Sequence, residues 1–280
     1  MNGNDSSASK TSAFLLPFHG FAMAISFLSR LPAILKPNWN DQRVWSWSFA
    51  FYPIIGIILG LIAAAPMAIA AKLQSAETLL LLCAFYYLAI SEWLTRFLHL
   101  DGFCDCCDAF SAMASTKEER LKIMKDPHLG SSAAGAVAIL LFGKGILIYL
   151  LLLKGIIYFD NWLRVAFILI AIPALSRFAM LLLASMGRYP RESGTAMHVI
   201  GKVPAPALLF AAISLAPLAL LTGPRAFLVA TMLCAFSLLY WKTKGDSKIG
   251  GVTGDVLGAC QETSELAAAT GFLLALEANF

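Results

Sequence analysis

Seven stretches of this chain are each about twenty residues long and almost wholly apolar, the length at which an α-helix crosses the hydrocarbon core of a bilayer. They run at about Phe49–Ala71, Thr78–Leu98, Ser132–Leu153, Leu163–Met186, Pro204–Thr222, Arg225–Trp241 and Gln261–Ala278. The fifth and sixth are separated only by Gly223 and Pro224, a tight turn. Charged residues make up 14% of the 280 residues and hydrophobic ones 59%, where a soluble domain carries roughly 25% charged. The fold class expected is all-α: a polytopic integral membrane helical bundle of about seven transmembrane helices, preceded by an interfacial or re-entrant helix.

That preceding segment, Ala13–Ser29, is apolar but short, and holds Pro17, His19 and Gly20. It has no basic n-region and no clean cleavage site, so it does not read as a removed signal peptide. Residues 1–12 are polar and read as a disordered tail, leaving 13–280 as a single polytopic catalytic domain. The six cysteines show no disulfide framework, and Cys83 and Cys234 read as small packing residues inside spans. A net charge of +4 does not point to nucleic acid. The sequence leaves the oligomeric state open.

Lysine and arginine alternate between connections. Lys10, Arg30, Lys36 and Arg43 precede the first span; Lys117, Arg120, Lys122 and Lys125 follow the second. Arg188, Arg191 and Lys202 follow the fourth; Lys242, Lys244 and Lys248 follow the sixth. By the positive-inside rule these segments are cytoplasmic. The acidic and glycine-rich loops then share the cytoplasmic face of the membrane.

The densest chemical signal is His99-Leu-Asp101-Gly-Phe-Cys-Asp105-Cys-Cys-Asp108. The aspartates recur at i, i+4 and i+7, which places them on one narrow helix face. Three carboxylates there repel unless a cation sits among them, and hard oxygen donors favour Mg²⁺ or Mn²⁺, the usual partners of phosphate and diphosphate groups. The blander reading is a solvated acidic face. Cys104 and Cys107 form C-x-x-C, but a zinc site lacks further partners at good spacing.

A capping box at Ser115/Glu118 or Thr116/Glu119 opens a charged helix. Pro127 closes it, so Lys125, Asp126 and His128 stand at its end. In Gly250-Gly251-Val-Thr253-Gly254-Asp255, glycines let backbone N–H groups approach phosphate oxygens ahead of a helix N-terminus, and Asp255 offers a carboxylate. Glu92, Arg96, Lys144 and Arg177 lie within spans, where charge is costly. They either line one cavity or pair with one another, and Arg177 suits bidentate phosphate contact.

Taken together, L-H-L-D-G-F-C-D-C-C-D-A-F, E-R-L-K-I-M-K-D-P-H-L-G-S, L-S-R-F-A-M and G-G-V-T-G-D-V-L-G-A resemble the cobalamin synthase family, the adenosylcobinamide-GDP ribazoletransferases. The resemblance extends from F-L-S-R-L-P at Phe27–Pro32 through F-Y-P-I-I-G at Phe51–Gly56 to the last span. It differs in the cysteines between the aspartates, and in Lys125-Asp126-Pro127-His128-Leu129-Gly130 where the family commonly reads K-D-S-R-I-G. The resemblance implies a Mg²⁺-dependent phosphotransferase of the bacterial inner membrane. α-Ribazole, or its 5′-phosphate, attacks adenosylcobinamide-GDP, and GMP leaves. It implies Asp101, Asp105 and Asp108 as metal ligands, Asp126 and Asp255 as further ligands or base, and His99 as an orienting or donating group. Arg177, Lys125, His128, Arg188, Arg191, Gly251 and Gly254 are the substrate-binding candidates. Two rival readings are a CDP-alcohol phosphotransferase, which shares part of the acidic motif, and a transporter using the charges inside the spans.

Overall fold

A computed structural model describes residues 11–68, 77–114, 116–158 and 161–278. The tail residues 1–10 and the end of the first expected span, 69–71, lie outside the described residues. The described residues form helices joined by turns and loops. A short 3₁₀ turn leads into α1 (Leu16–Leu28). At 13 residues this helix is about 20 Å long, too short for a hydrocarbon core of about 30 Å. α2 (Gln42–Ala50) is capped by the Asp41 carboxylate and meets α3 (Tyr52–Ala64) at a 54° bend. Then come α4 (Glu77–Leu94), α5 (Leu98–Ser111), α6 (Lys117–Ile123) and α7 (Ser131–Leu152), the last running on as a π-helical turn. α8 (Trp162–Met186), α9 (Ala205–Ser214), α10 (Ala216–Thr222), α11 (Pro224–Ile249) and α12 (Gly254–Glu277) complete the bundle.

Among the described residues, five helices are long and apolar enough to cross a membrane, or six if the bent α2–α3 pair is one span. The expected seventh span is present as α12 but begins earlier, at Gly254, and Glu262 and Glu265 dilute its apolar content. Other boundaries move for local reasons. The second span stops at Leu94, because Arg96 and Phe97 take left-handed backbone angles (φ 61° and 56°) and turn the chain into α5. The sixth continues to Ile249, so Lys242, Lys244 and Lys248 sit on helix rather than loop, and Lys242 pairs with Asp246 one turn on. The fifth is broken at Leu215, since Pro217 has no N–H to continue the ladder.

α8 is the axis of the bundle and is buried on nearly all sides. Gly56 and Gly60, one turn apart on α3, let that helix lie against it: a Cβ at Gly56 would stand 2.4 Å from the Pro173 carbonyl oxygen, and one at Gly60 2.8 Å from Ile170 Cα. Small residues at this spacing are how membrane helices approach closely. Leu81, Phe85, Ile139, Phe142, Leu209 and Phe236 point outward, the apolar exterior a lipid-facing bundle requires.

Two apolar cores stack along the bundle. One gathers Trp45, Phe49, Phe103, Leu140, Met180 and Cys260; the other Tyr87, Ile148, Leu175, Ala268 and Phe272. In sequence, Lys144, Glu262 and Glu265 fall between the last residues of one core and the first of the other, and Arg177 lies within a turn of the same boundary on α8. Lys144 Nζ donates to Glu92 Oε1 (3.1 Å), Glu262 Oε2 (2.5 Å) and Glu265 Oε2 (2.8 Å). Arg177 Nη1 donates to the Pro173 carbonyl and stands 3.7 Å from Glu265. These charges are buried because they compensate one another.

Candidate active site

α5 is amphipathic for a reason visible in its sequence. His99, Gly102, Phe103, Cys106 and Ala109 recur at helical spacing and are buried, leaving Asp101, Asp105 and Asp108 on the neighbouring face. Gly102 and Gly258 bring α5 against the start of α12. A Cβ at Gly102 would stand 2.8 Å from Asp255 Cα, and one at Gly258 2.8 Å from the His99 carbonyl oxygen. That approach sets Asp255, from the glycine-rich segment, beside the α5 stripe. The two acidic motifs, far apart in sequence, form one cluster.

Within it, Asp105 carries its carboxyl up to about 7; burial is the main cause, and the charges of Asp255 and Asp101 add to it. Arg191 answers part of that charge. Its Nη2 donates to Asp255 Oδ2 at 2.9 Å, and Thr253 Oγ1, which also caps α12, donates to the same oxygen at 3.2 Å.

Asp108 behaves differently. Both its oxygens accept backbone hydrogen bonds, from Gly130 N–H (2.7 Å) and Ala133 N–H (2.9 Å), so the carboxylate caps α7 across space. Gly130 is needed there, because a Cβ would stand 2.4 Å from an Asp108 oxygen. Accordingly Asp101, Asp105 and Asp108 do not bring an oxygen each within 4.8 Å of one another. Among the described residues Glu92, Glu262 and Glu265 do, and Lys144 binds all three.

A cavity of about 220 Å³ opens on the acidic cluster. His99, Asp101, Gly254 and Asp255 line it, with Phe27, Tyr52, Met180, Ala184 and the short turn Thr195–Val199. His99 is buried. Desolvation, together with the positive charges of Arg177 and Lys144, keeps its imidazole neutral well below the usual range. The cysteines between the aspartates are held as thiols: burial and the carboxylates push Cys104 up to about 11, and burial with Cys104 and Asp108 pushes Cys107 to about 12. Neither cysteine joins two further ligand residues in a group tight enough for a metal among the described residues.

The remaining sequence candidates divide. Lys125, Asp126 and His128 stand exposed on the surface, where the His128 backbone N–H, 3.0 Å from Asp126 Oδ1, and then its Nδ1, 2.6 Å from the same oxygen, hold that carboxyl below its usual range. They do not line the cavity. The Arg188 side chain is exposed; its carbonyl accepts from Val252 N–H (2.8 Å), and Gly251 is required because a Cβ would stand 2.1 Å from that carbonyl oxygen. Gly251 thus serves the packing of two loops. Arg177, 1% exposed, belongs to the ionic layer and does not line the cavity either. Sequence reasoning passed over Glu262 and Glu265, although acids three residues apart inside an expected span were a signal. It also passed over Tyr52, whose place in the cavity only the packing of α3 reveals.

A family model described as cobalamin-5-phosphate synthase matches residues 20–273. A relative named adenosylcobinamide-GDP ribazoletransferase from Syntrophobacter fumaroxidans is 34% identical over 88% of this chain and 94% of its own length. Proteins of the same name from Chlorobaculum tepidum and Klebsiella pneumoniae are each 35% identical, over 89% and 91% of this chain and 92% and 98% of their own. No solved structure matches the chain significantly.

Proposed function

The chain belongs to the cobalamin-5-phosphate synthase family, and from that premise we propose that it transfers the adenosylcobinamide phosphate of adenosylcobinamide-GDP to α-ribazole or its 5′-phosphate. GMP is released, and adenosylcobalamin or its 5′-phosphate forms. The observation that carries this onto the chain's own residues is that Asp101 and Asp255 line one cavity, with the Asp105 carboxyl close enough to feel both their charges. A ribose hydroxyl of the acceptor attacks the β-phosphorus. The new P–O bond forms as the bond from that phosphorus to the GMP oxygen breaks, and GMP takes the electron pair. The hydroxyl proton passes to a carboxylate of the cluster. In phosphoryl transfer the protein's work is mainly to position groups and neutralise charge.

The cluster fits Mg²⁺. Its carboxylates crowd enough to lift Asp105, one guanidinium stands against them, and all the donors are hard oxygens. Asp101, Asp105 and Asp255 would hold the ion by drawing together, since their oxygens, like those of the set with Asp108, do not all lie within 4.8 Å of one another; Asp108 is engaged as a cap. The ion supplies Lewis-acid stabilisation of diphosphate charge. Arg191 orients Asp255 and stands ready for the diphosphate. The basic connections argue for a bacterial cytoplasmic membrane with these loops inside. Family membership favours this reading over a CDP-alcohol phosphotransferase or a transporter.

The test is GMP release by the detergent-purified protein supplied with adenosylcobinamide-GDP, α-ribazole and Mg²⁺, beside an EDTA control. Metal-dependent GMP matched by a new corrinoid supports the proposal. A folded preparation inactive with both ribazole and its phosphate refutes it.

A further inference from the structure

Apolar side chains dominate the inner wall of the cavity beside the acidic cluster: Phe27, Leu98, Met180, Val199 and Leu257. Two polar residues interrupt that wall. Tyr52 is 1% exposed and His99 4%; His99 Nε2 is buried with no hydrogen-bond partner in the protein, and the Tyr52 hydroxyl has beside it only that of Ser48, which already donates to the Trp45 carbonyl. A buried polar atom left without a partner costs about 1–3 kcal/mol, so His99 Nε2, with the weakly answered Tyr52 hydroxyl on the same cavity wall, marks a place built for a ligand. At about 220 Å³ the cavity is smaller than the roughly 300–1,000 Å³ of sites for drug-sized ligands. It takes one flat bicyclic ring and excludes a macrocycle.

We propose that this cavity seats the azole base of the acceptor nucleoside, with Tyr52 and His99 as its positioning residues. The inference rests on the ribazoletransferase reading and adds where the acceptor binds. Of the substrate parts, the corrin is far too large. The guanine of the donor is a bicycle, but it carries donors and acceptors round most of its edge, and this wall would leave most of them unpaired. A benzimidazole is apolar on its carbocyclic edge and offers one ring nitrogen as acceptor. That acceptor and a ribose hydroxyl match the Tyr52 hydroxyl and His99 Nε2. Seated so, the base directs its ribose toward Asp101, Gly254 and Asp255 at the mouth, where the phosphorus is attacked.

Two substitutions test this. Tyr52→Phe removes one hydroxyl and keeps the ring. Ala196→Phe fills the cavity from the Thr195–Val199 turn. Steady-state GMP release gives KM for each substrate, and calorimetry on the detergent-solubilised protein gives Kd for α-ribazole with no donor present. Tyr52→Phe is expected to raise both the acceptor KM and the Kd about tenfold, the worth of one hydrogen bond. Ala196→Phe is expected to raise them further, with the donor KM within about twofold of wild type for both variants. A rise in donor KM alone, or unchanged acceptor constants in both variants, overturns the assignment. Inactive wild type that binds α-ribazole with Tyr52→Phe weakening it would sink the reaction and keep the subsite. Wild type that neither turns over nor binds α-ribazole sinks both.

Discussion

Asp108→Asn separates a structural carboxylate from chemical ones. The wild-type side chain accepts from Gly130 N–H at 2.7 Å and Ala133 N–H at 2.9 Å. Asparagine keeps one acceptor oxygen and turns an amide donor toward the other N–H. One hydrogen bond is lost, a backbone donor loses its partner, and the negative charge leaves the start of α7. A helix cap is worth about 0.5–2 kcal/mol, and the charge–dipole attraction about 0.3–1 kcal/mol. The expected loss is therefore about 2 kcal/mol of stability. Thermal unfolding of the detergent-purified protein reads this, and GMP release per folded molecule is measured on the same preparation. Asp108→Asn should melt earlier yet keep turnover within about tenfold of wild type. Asp101→Asn and Asp255→Asn should melt near wild type and lose turnover by about 10² or more, the scale set by losing a charge-stabilising group. Wild-type melting with abolished turnover in Asp108→Asn would refute the cap and restore Asp108 as a metal ligand.

Gly130→Ala should reproduce the lowered melting of Asp108→Asn, because its Cβ would stand 2.4 Å from the capping oxygen; equal melting to wild type counts against it. Lys144→Met strips the cation from three buried carboxylates and should cost about 3–5 kcal/mol, with Glu262→Gln in the same chain recovering part of it, as thermal unfolding of the pair would tell. Cys104 and Cys107, thiols up to about 11 and about 12, should alkylate slowly at pH 8 and about tenfold faster per pH unit through pH 10 as the thiolate fraction grows, which a mass-spectrometric time course follows. Gly258→Ala gains helix propensity of up to about 1 kcal/mol but sets a Cβ 2.8 Å from the His99 carbonyl oxygen, so GMP release should fall as α5 is pushed from α12.

Much of this was legible because membrane helices announce themselves locally. Length, apolarity and the basic residues between runs placed nearly every span, and the i, i+4, i+7 aspartates placed their own helix face. What stayed hidden depends on partners chosen across the fold. Nothing near Asp108 in sequence says that its carboxylate reaches Gly130, 22 residues on. Arg96 and Phe97 look like ordinary helix residues, yet the kink they make is fastened when Arg30 Nε donates to the Trp93 carbonyl and Arg96 Nη2 to that of Ser26. The glycines of the last loop were read as phosphate contacts. Gly251 instead admits a neighbouring carbonyl, while Gly254 does face the cavity.

The fate of Arg177 and Lys144 bears on the proposal that the acidic cluster takes a cation from outside the chain. Arg177 looked available to a diphosphate, and Lys144 looked able to line the same cavity. Packing α7 and α8 against α12 also buries Glu262 and Glu265, with Glu92 from α4 beside them. Three carboxylates then face two cations, and removing either cation to meet a substrate would leave uncompensated charge in the interior, at several kcal/mol. These two residues are therefore committed to holding the helices. Arg191 is left as the guanidinium touching the acidic cluster, and it is already paired with Asp255. A diphosphate arriving beside Asp101, Asp105 and Asp255 meets more negative charge than Arg191 can answer. Binding there calls for further positive charge, which on the reading proposed above a divalent metal would supply.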